Sequence, residues 1–82
     1  MDGLVRVAYR FRDANDHNEV QQGPHVPPGS IPAIGDVLTF ATQPVAWSEY
    51  RSWSVQDREW HNPTPSRFGD VTLMLIPKPL PL

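Results

Sequence analysis

The side chains best placed to do chemistry are the arginines of the first segment. In the run from Leu4 to Arg12, LVRVAYRFR, apolar and basic residues alternate. A strand points successive side chains to opposite faces, so Arg6, Arg10 and Arg12 project from one face with Ala8. They spread over roughly 20 Å at ~3.3 Å per residue. Three guanidinium groups presented this way could grip a nucleic-acid backbone or a nucleotide, with bases stacked on Trp47 or Tyr50. The same arginines could equally be used up by Glu19, Glu49, Asp57 or Glu59 on neighbouring strands. Acidic residues outnumber basic ones nine to seven, so such partners are in supply.

The tryptophans are the second chemical feature. Trp47, Trp53 and Trp60 lie within one stretch of an 82-residue chain. A small core holds one or two such rings, so three, with Tyr50 and Phe68, leave at least one for an interface, where aromatics and arginine are enriched. Trp47 is the candidate, in a loop beside Pro44 and Ala46; the alternative is that it caps the fold. His25 is a further candidate binding residue, in a proline-rich segment where Pro24-His25-Val26-Pro27 has the P-x-x-P form without the adjacent basic residue that such ligands carry.

Other chemistries lack their residues. No cysteine is present, which removes thiolate zinc sites, disulfides and cysteine nucleophiles. Ser30, Ser48, Ser52, Ser54 and Ser66 stand in no nucleophile elbow. His17, His25 and His61 have no spacing that sets two imidazoles on one face for a metal. The run from Asp13 to Glu19 mimics the start of a calcium loop. It has Asn18 where the loop needs glycine and Pro24 where it needs a bidentate glutamate. The glycines are dispersed and open no helix, so a phosphate loop is excluded. No catalytic residue, metal or cofactor is assigned, and the expectation is a protein that is not an enzyme.

The elements that must carry these residues are strands. Ten prolines exclude long helices, since an interior proline removes a donor and costs ~3 kcal/mol. The chain is short enough for only one domain. Val5, Val7, Tyr9 and Phe11 form the inward face of strand one. The Asp13–Asn18 run supplies a turn, and Glu19 to Gln22 pairs back as a short second strand. Residues 23–35 hold four prolines and read as an ordered proline-rich loop, with Val26, Ile31 and Ile34 covering one end of the core. A third strand runs from Asp36 to Phe40, with Leu38 and Phe40 on one face. A loop follows around Pro44, with room for one helical turn. In residues 49–61, Trp53 and Val55 share a parity that Trp60 breaks; a bulge near Gln56 or Asp57 restores it, as would a sharp bend or a tight turn between two strands. Residues 62–70 form a loop. Val71 to Ile76 is apolar on both faces, so it is central or covered on both sides.

Five short strands and no helix predict an all-β fold, either a small barrel or two orthogonally packed antiparallel sheets. One domain is expected over 1–77, with a proline-containing C-terminal tail at 78–82. No apolar run approaches the length of a membrane span, and the first residues lack a secretory h-region, so a cytoplasmic location is expected with no membrane partner.

Pro32-Ala33-Ile34-Gly35-Asp36 resembles the Pro-x-x-Gly-Asp strand entry of SH3-like small β-barrel proteins, in which the glycine permits the turn and the aspartate caps it. The order of elements is similar too: long first hairpin, loop, Gly-Asp strand, tryptophan-rich strand, apolar last strand. The chain has neither the lysine–glycine pair of the KOW subset nor the ALYDY-like signature of peptide-binding SH3 domains. What the resemblance implies is a five-stranded SH3-like barrel. In size and layout the chain is also similar to short phage or mobile-element proteins. The expected function is a non-enzymatic binding module working through a protein–protein surface, with a host protein or with its own copy. The alternative is nucleic-acid or nucleotide binding through the arginine face, in an oligomer.

Overall fold

The computed structural model describes residues 3–61 and 69–78. The loop expected at 62–68, with Phe68, and the tail from 79 onward lie outside the described residues.

Five strands form a single sheet: β1 (Val5–Arg12), β2 (Asn18–Val26), β3 (Val37–Thr39), β4 (Ser52–Trp60) and β5 (Val71–Pro77). Their order across the sheet is β2-β1-β5-β4-β3. The fold is all-β, a half-barrel of one curled sheet, and its only helical element among the described residues is a 3-10 turn at Pro28–Ser30. One curled sheet replaces the pair of orthogonal sheets, and it is mixed, because β1 and β5 run parallel. That pairing follows from the chain path. Residues 27–36 carry the chain from β2 at one edge to β3 at the other, and the β3-β4-β5 meander then returns to the flank of β1. Four strand spacings of ~4.8 Å set that breadth at roughly 19 Å, within reach of such a connection. The asparagine- and aspartate-rich turn before β2 forms as its residues dictate. Asp16 takes a positive φ of 64°, a conformation that Asp tolerates better than most residues.

The second strand is longer than the sequence suggests. It runs through Gly23, Pro24 and His25 to Val26, pairing Arg6 with His25 and Val5 with Val26. Proline is admitted because β2 is an edge strand and because Pro24 sits at a bulge. Between Arg6 and Ala8 on β1, β2 spends an extra residue. The rest of the proline-rich stretch crosses the sheet, where Pro27, Pro28 and Pro32 need no ladder donor. Val26 and Ile31 pack on the core as expected, but Ile34 is 61% exposed. Gly35 occupies the third position of the turn from Ala33 to Asp36, with φ at 96°, which explains the glycine. Asp36 Oδ2 accepts the Ala33 N–H at 2.8 Å, closing that turn ahead of β3.

The concave face holds the core: Val7, Phe11, Val45, Trp53, Val55, Val71, Leu73 and Leu75. Alternation in β1 and β5 delivers these residues inward. In β4, Val55 lies opposite Leu75 and Asp57 opposite Met74, so Gln56 is the bulged residue. The bulge turns Trp60 back to the face of Trp53. Phe11 touches Trp53, Phe40 and Tyr9 edge-on, with ring centroids 5.0 to 6.0 Å apart. Fully burying one such ring contributes roughly 1.5–3 kcal/mol. β5 is central, between β1 and β4, and Thr72 on its outer face is also buried.

Residues 41–50 leave the β3–β4 hairpin as an excursion with no helical turn. Its base is tied by Phe40 N–H to Arg51 O at 2.8 Å. It lays Val45 into the core and reaches the far edge of the sheet, where Gln21 Nε2 donates to Pro44 O at 2.7 Å. The open side of the half-barrel is thus strapped by a loop.

Candidate functional site

One end of the half-barrel gathers three segments around Trp47: the β1–β2 turn, the end of the 41–50 excursion and the start of β4. Trp47 is half-buried. Its ring stacks on His17 at 4.9 Å and 16°, and meets Trp53 edge-on at 6.0 Å. Trp47 thus packs against the end of the core and stays partly exposed. Among the described residues, the tyrosine and tryptophan side chains that are exposed are Tyr50 at 43% and Trp60 at 51%.

The turn beneath Trp47 is rigid for a visible reason. Asp13 Oδ1 accepts the N–H groups of Asn15 and His17, at 2.9 and 3.0 Å, and Oδ2 lies 2.9 Å from His17 Nδ1. Desolvation pushes the Asp13 carboxyl up, but hydrogen bonds from the His17 side chain and from the His17 and Asn15 backbone outweigh it, leaving the pKa below the ordinary carboxylate value. The run that mimics a calcium loop is therefore a self-bonded hairpin turn. Among the described residues no three His, Asp or Glu side chains are grouped to hold a metal ion.

Next to this turn an open cleft of about 660 Å³ runs between Arg12, the Asp13–Asn15 turn, Tyr50, Gln56, Ile76 and Pro77. Each wall comes from a feature already described. Arg12 is the last residue of β1, on its outward parity. Gln56 is the bulged residue of β4. Ile76 and Pro77 end β5. Tyr50 is held by its backbone: Trp53 Nε1 donates to Tyr50 O at 3.0 Å, and Tyr50 N–H donates to Ser48 Oγ at 3.2 Å. Its ring is therefore exposed on a fixed stem.

The structure separates the other candidates from this cleft. Arg6 Nη2 pairs with Asp70 Oδ1 at 3.3 Å, and Asp70 Oδ2 accepts the Arg6 backbone N–H at 2.9 Å. Those two bonds from Arg6, backbone first, hold the Asp70 carboxyl below its ordinary range. His25 stands opposite Arg6 on the edge strand β2, at the same place. Arg10 Nη1 donates to Asn18 Oδ1 at 3.2 Å. The acidic partner is thus Asp70 and none of the four acidic residues considered from the sequence. Asp70 was legible in one respect: Gly69-Asp70 repeats the Gly-Asp pair that opens β3, ahead of the next apolar strand. Asn15, Ile76 and Pro77 carry no sequence signal for a site, because the chain path alone brings them to Arg12.

Among the described residues the outer face has a buried polar contact. His61 Nε2 lies 2.7 Å from Thr72 Oγ1, which satisfies that buried hydroxyl. No helix among the described residues is long and apolar enough to cross a membrane. Comparison with family models, with curated proteins and with solved structures returns no match for this chain.

Proposed function

We propose that this protein is a non-enzymatic binding module that engages a partner protein through the cleft at the Trp47 end. The observation that carries the reading is that Arg12 and Tyr50, both exposed, line one cleft, beside the self-bonded Asp13 turn and with the Tyr50 backbone held by two hydrogen bonds. Arginine and tyrosine are among the residue types that dominate binding hot spots, and rings held in place before binding lose little entropy on contact. An SH3-like kinship belongs to the same proposal, supported by five strands in a curled sheet and a Gly-Asp turn before β3. A host protein met in the cytoplasm, as for a small phage or mobile-element protein, is the partner class we propose, with self-association as the second.

The test is affinity capture with wild-type, Tyr50→Ala and Arg12→Ala baits, with Arg58→Gln as the control at the far end of β4. The captured protein is then purified and titrated against each bait. Loss of at least tenfold in affinity for both cleft variants is expected, since truncating a hot spot costs about 2 kcal/mol or more. A strict monomer that retains no protein, or equal binding by all baits, overturns the reading.

A nucleotide at the same cleft is the second reading. It is favoured by a specific observation: Arg12 makes no ion pair among the described residues and stands beside an exposed ring. Salt-dependent retention of nucleotides or oligonucleotides, lost in Arg12→Ala, is its signature.

A further inference from the structure

The chemistry of the cleft narrows what it takes, and this step rests on the binding-module reading above. The geometry points to a carboxylate carried on an apolar peptide segment as the ligand. Arg12 is the cleft's cation, and its guanidinium makes no hydrogen bond or ion pair among the described residues. A guanidinium offers parallel N–H donors that match the two oxygens of a carboxylate. The second charged wall is Asp13, whose carboxylate oxygens are already occupied by donors from its own turn. The cleft therefore presents one unspent positive charge next to a fixed negative one.

That balance separates ligand classes. A phosphate monoester carries about −1.5 to −2 charges at neutral pH, more than one guanidinium neutralises, and it would sit against the Asp13 carboxylate. A carboxylate carries one charge and is matched. The rest of the surface suits a peptide. Ile76 and Pro77 give half-buried apolar lining for a side chain, and Tyr50 adds an exposed ring. Asn15 and Gln56 supply side-chain amides able to donate and accept, as a peptide backbone requires. The volume, about 660 Å³, lies within the range of small-ligand pockets, so a short segment fills it.

The carboxylate has two sources, a chain terminus or an aspartate or glutamate side chain, and the experiment distinguishes them. The ¹⁵N-labelled protein is titrated with five probes. Three are acetylated leucine-rich tetrapeptides: a C-terminal free acid, its neutral amide, and an amide with one internal aspartate. The other two are inorganic phosphate and adenosine monophosphate. Binding is read from the backbone amides of Asn15, Tyr50 and Gln56 and from the Arg12 Nε–H. The free acid, the aspartate peptide or both are expected to bind, whichever binds tighter naming the source. The neutral amide is expected to bind at least about tenfold more weakly, the loss that follows from one charged hydrogen-bonded contact. Arg12→Gln removes the difference between acid and amide, Arg12→Lys restores part of it, and Arg58→Gln leaves it unchanged. Equal binding of acid and amide overturns the inference. Tighter, Arg12-dependent binding of phosphate or the nucleotide overturns it in favour of the nucleotide reading. Failure of every peptide, when Tyr50→Ala still abolishes capture of the partner, removes the carboxylate inference and leaves the binding-module reading standing.

Discussion

Trp53→Phe tests the link between core and cleft. Trp53 is fully buried, and its indole does two jobs: it fills the core against Phe11 and Trp47, and its Nε1 donates to Tyr50 O at 3.0 Å. Phenylalanine keeps an aromatic ring and the edge contacts but removes the donor and about two ring carbons. The lost hydrogen bond costs about 0.5–1.5 kcal/mol net. The lost carbons cost roughly 1.6 kcal/mol at ~0.8 kcal/mol per buried methylene equivalent. The sum is about 2–3 kcal/mol, against a total stability of roughly 4–12 kcal/mol for a domain of this size. At about 4–8 °C per kcal/mol, the melting temperature falls by roughly 10–20 °C. Urea unfolding followed by circular dichroism measures the loss, with the slope on denaturant expected to stay constant. Amide hydrogen exchange reads the second effect, faster opening at Tyr50 and Arg51 while β1 and β5 stay protected. A loss below 1 kcal/mol with unchanged exchange at Tyr50 would refute the view that the core fixes the ring of the cleft.

Three further perturbations follow from particular contacts. A Cβ at Gly69 would come within 2.7 Å of the Arg6 carbonyl oxygen, so Gly69→Ala must push β1 from β5 and is expected to cost about 1–3 kcal/mol by urea unfolding. Gln21→Ala removes the bond to Pro44 O, so exchange of the amides in 41–50 should quicken while the β1–β5 ladder keeps its protection. Folding depresses the carboxyls of Asp13 and Asp70, so the folded state binds fewer protons than the unfolded one. Their stabilisation is complete above the ordinary value of 3.8 and is lost as pH falls through the folded values. Asp70→Asn should therefore make the acid limb of a pH–stability profile shallower than in the wild type, with the remaining slope coming from Asp13.

How much was legible depended on whether the signal was local. Strand β1 is readable because one face is buried along its whole length, which imposes strict alternation. The β4 irregularity is readable because Trp60 breaks the parity of Trp53 and Val55; that it is a bulge, and not a sharp bend or a tight turn, is seen in the pairing with β5. The Gly35-Asp36 turn is readable because a positive φ selects glycine. The extent of β2 was hidden, since Gly23 and Pro24 look like a loop until the strand is known to lie at an edge with a bulge. Ile34 looked like a core residue because hydrophobicity alone does not say which side of a turn faces water. The packing of Trp47 was hidden as well, since its stacking partner His17 lies thirty positions away.

The sequence by itself determined the all-β class, the places of the first, third and last strands, and which face of β1 is apolar. Alternation, glycine torsions and proline's missing donor act within a few residues, so they are written locally. Only the tertiary structure decided that β1 and β5 run side by side in parallel, that Arg6 is spent on Asp70, and that Arg12 is left facing Tyr50 across a cleft. Those outcomes depend on the chain crossing from one sheet edge to the other. They join residues far apart in sequence, and no local preference encodes which of three similar arginines ends beside the acid and which beside the ring.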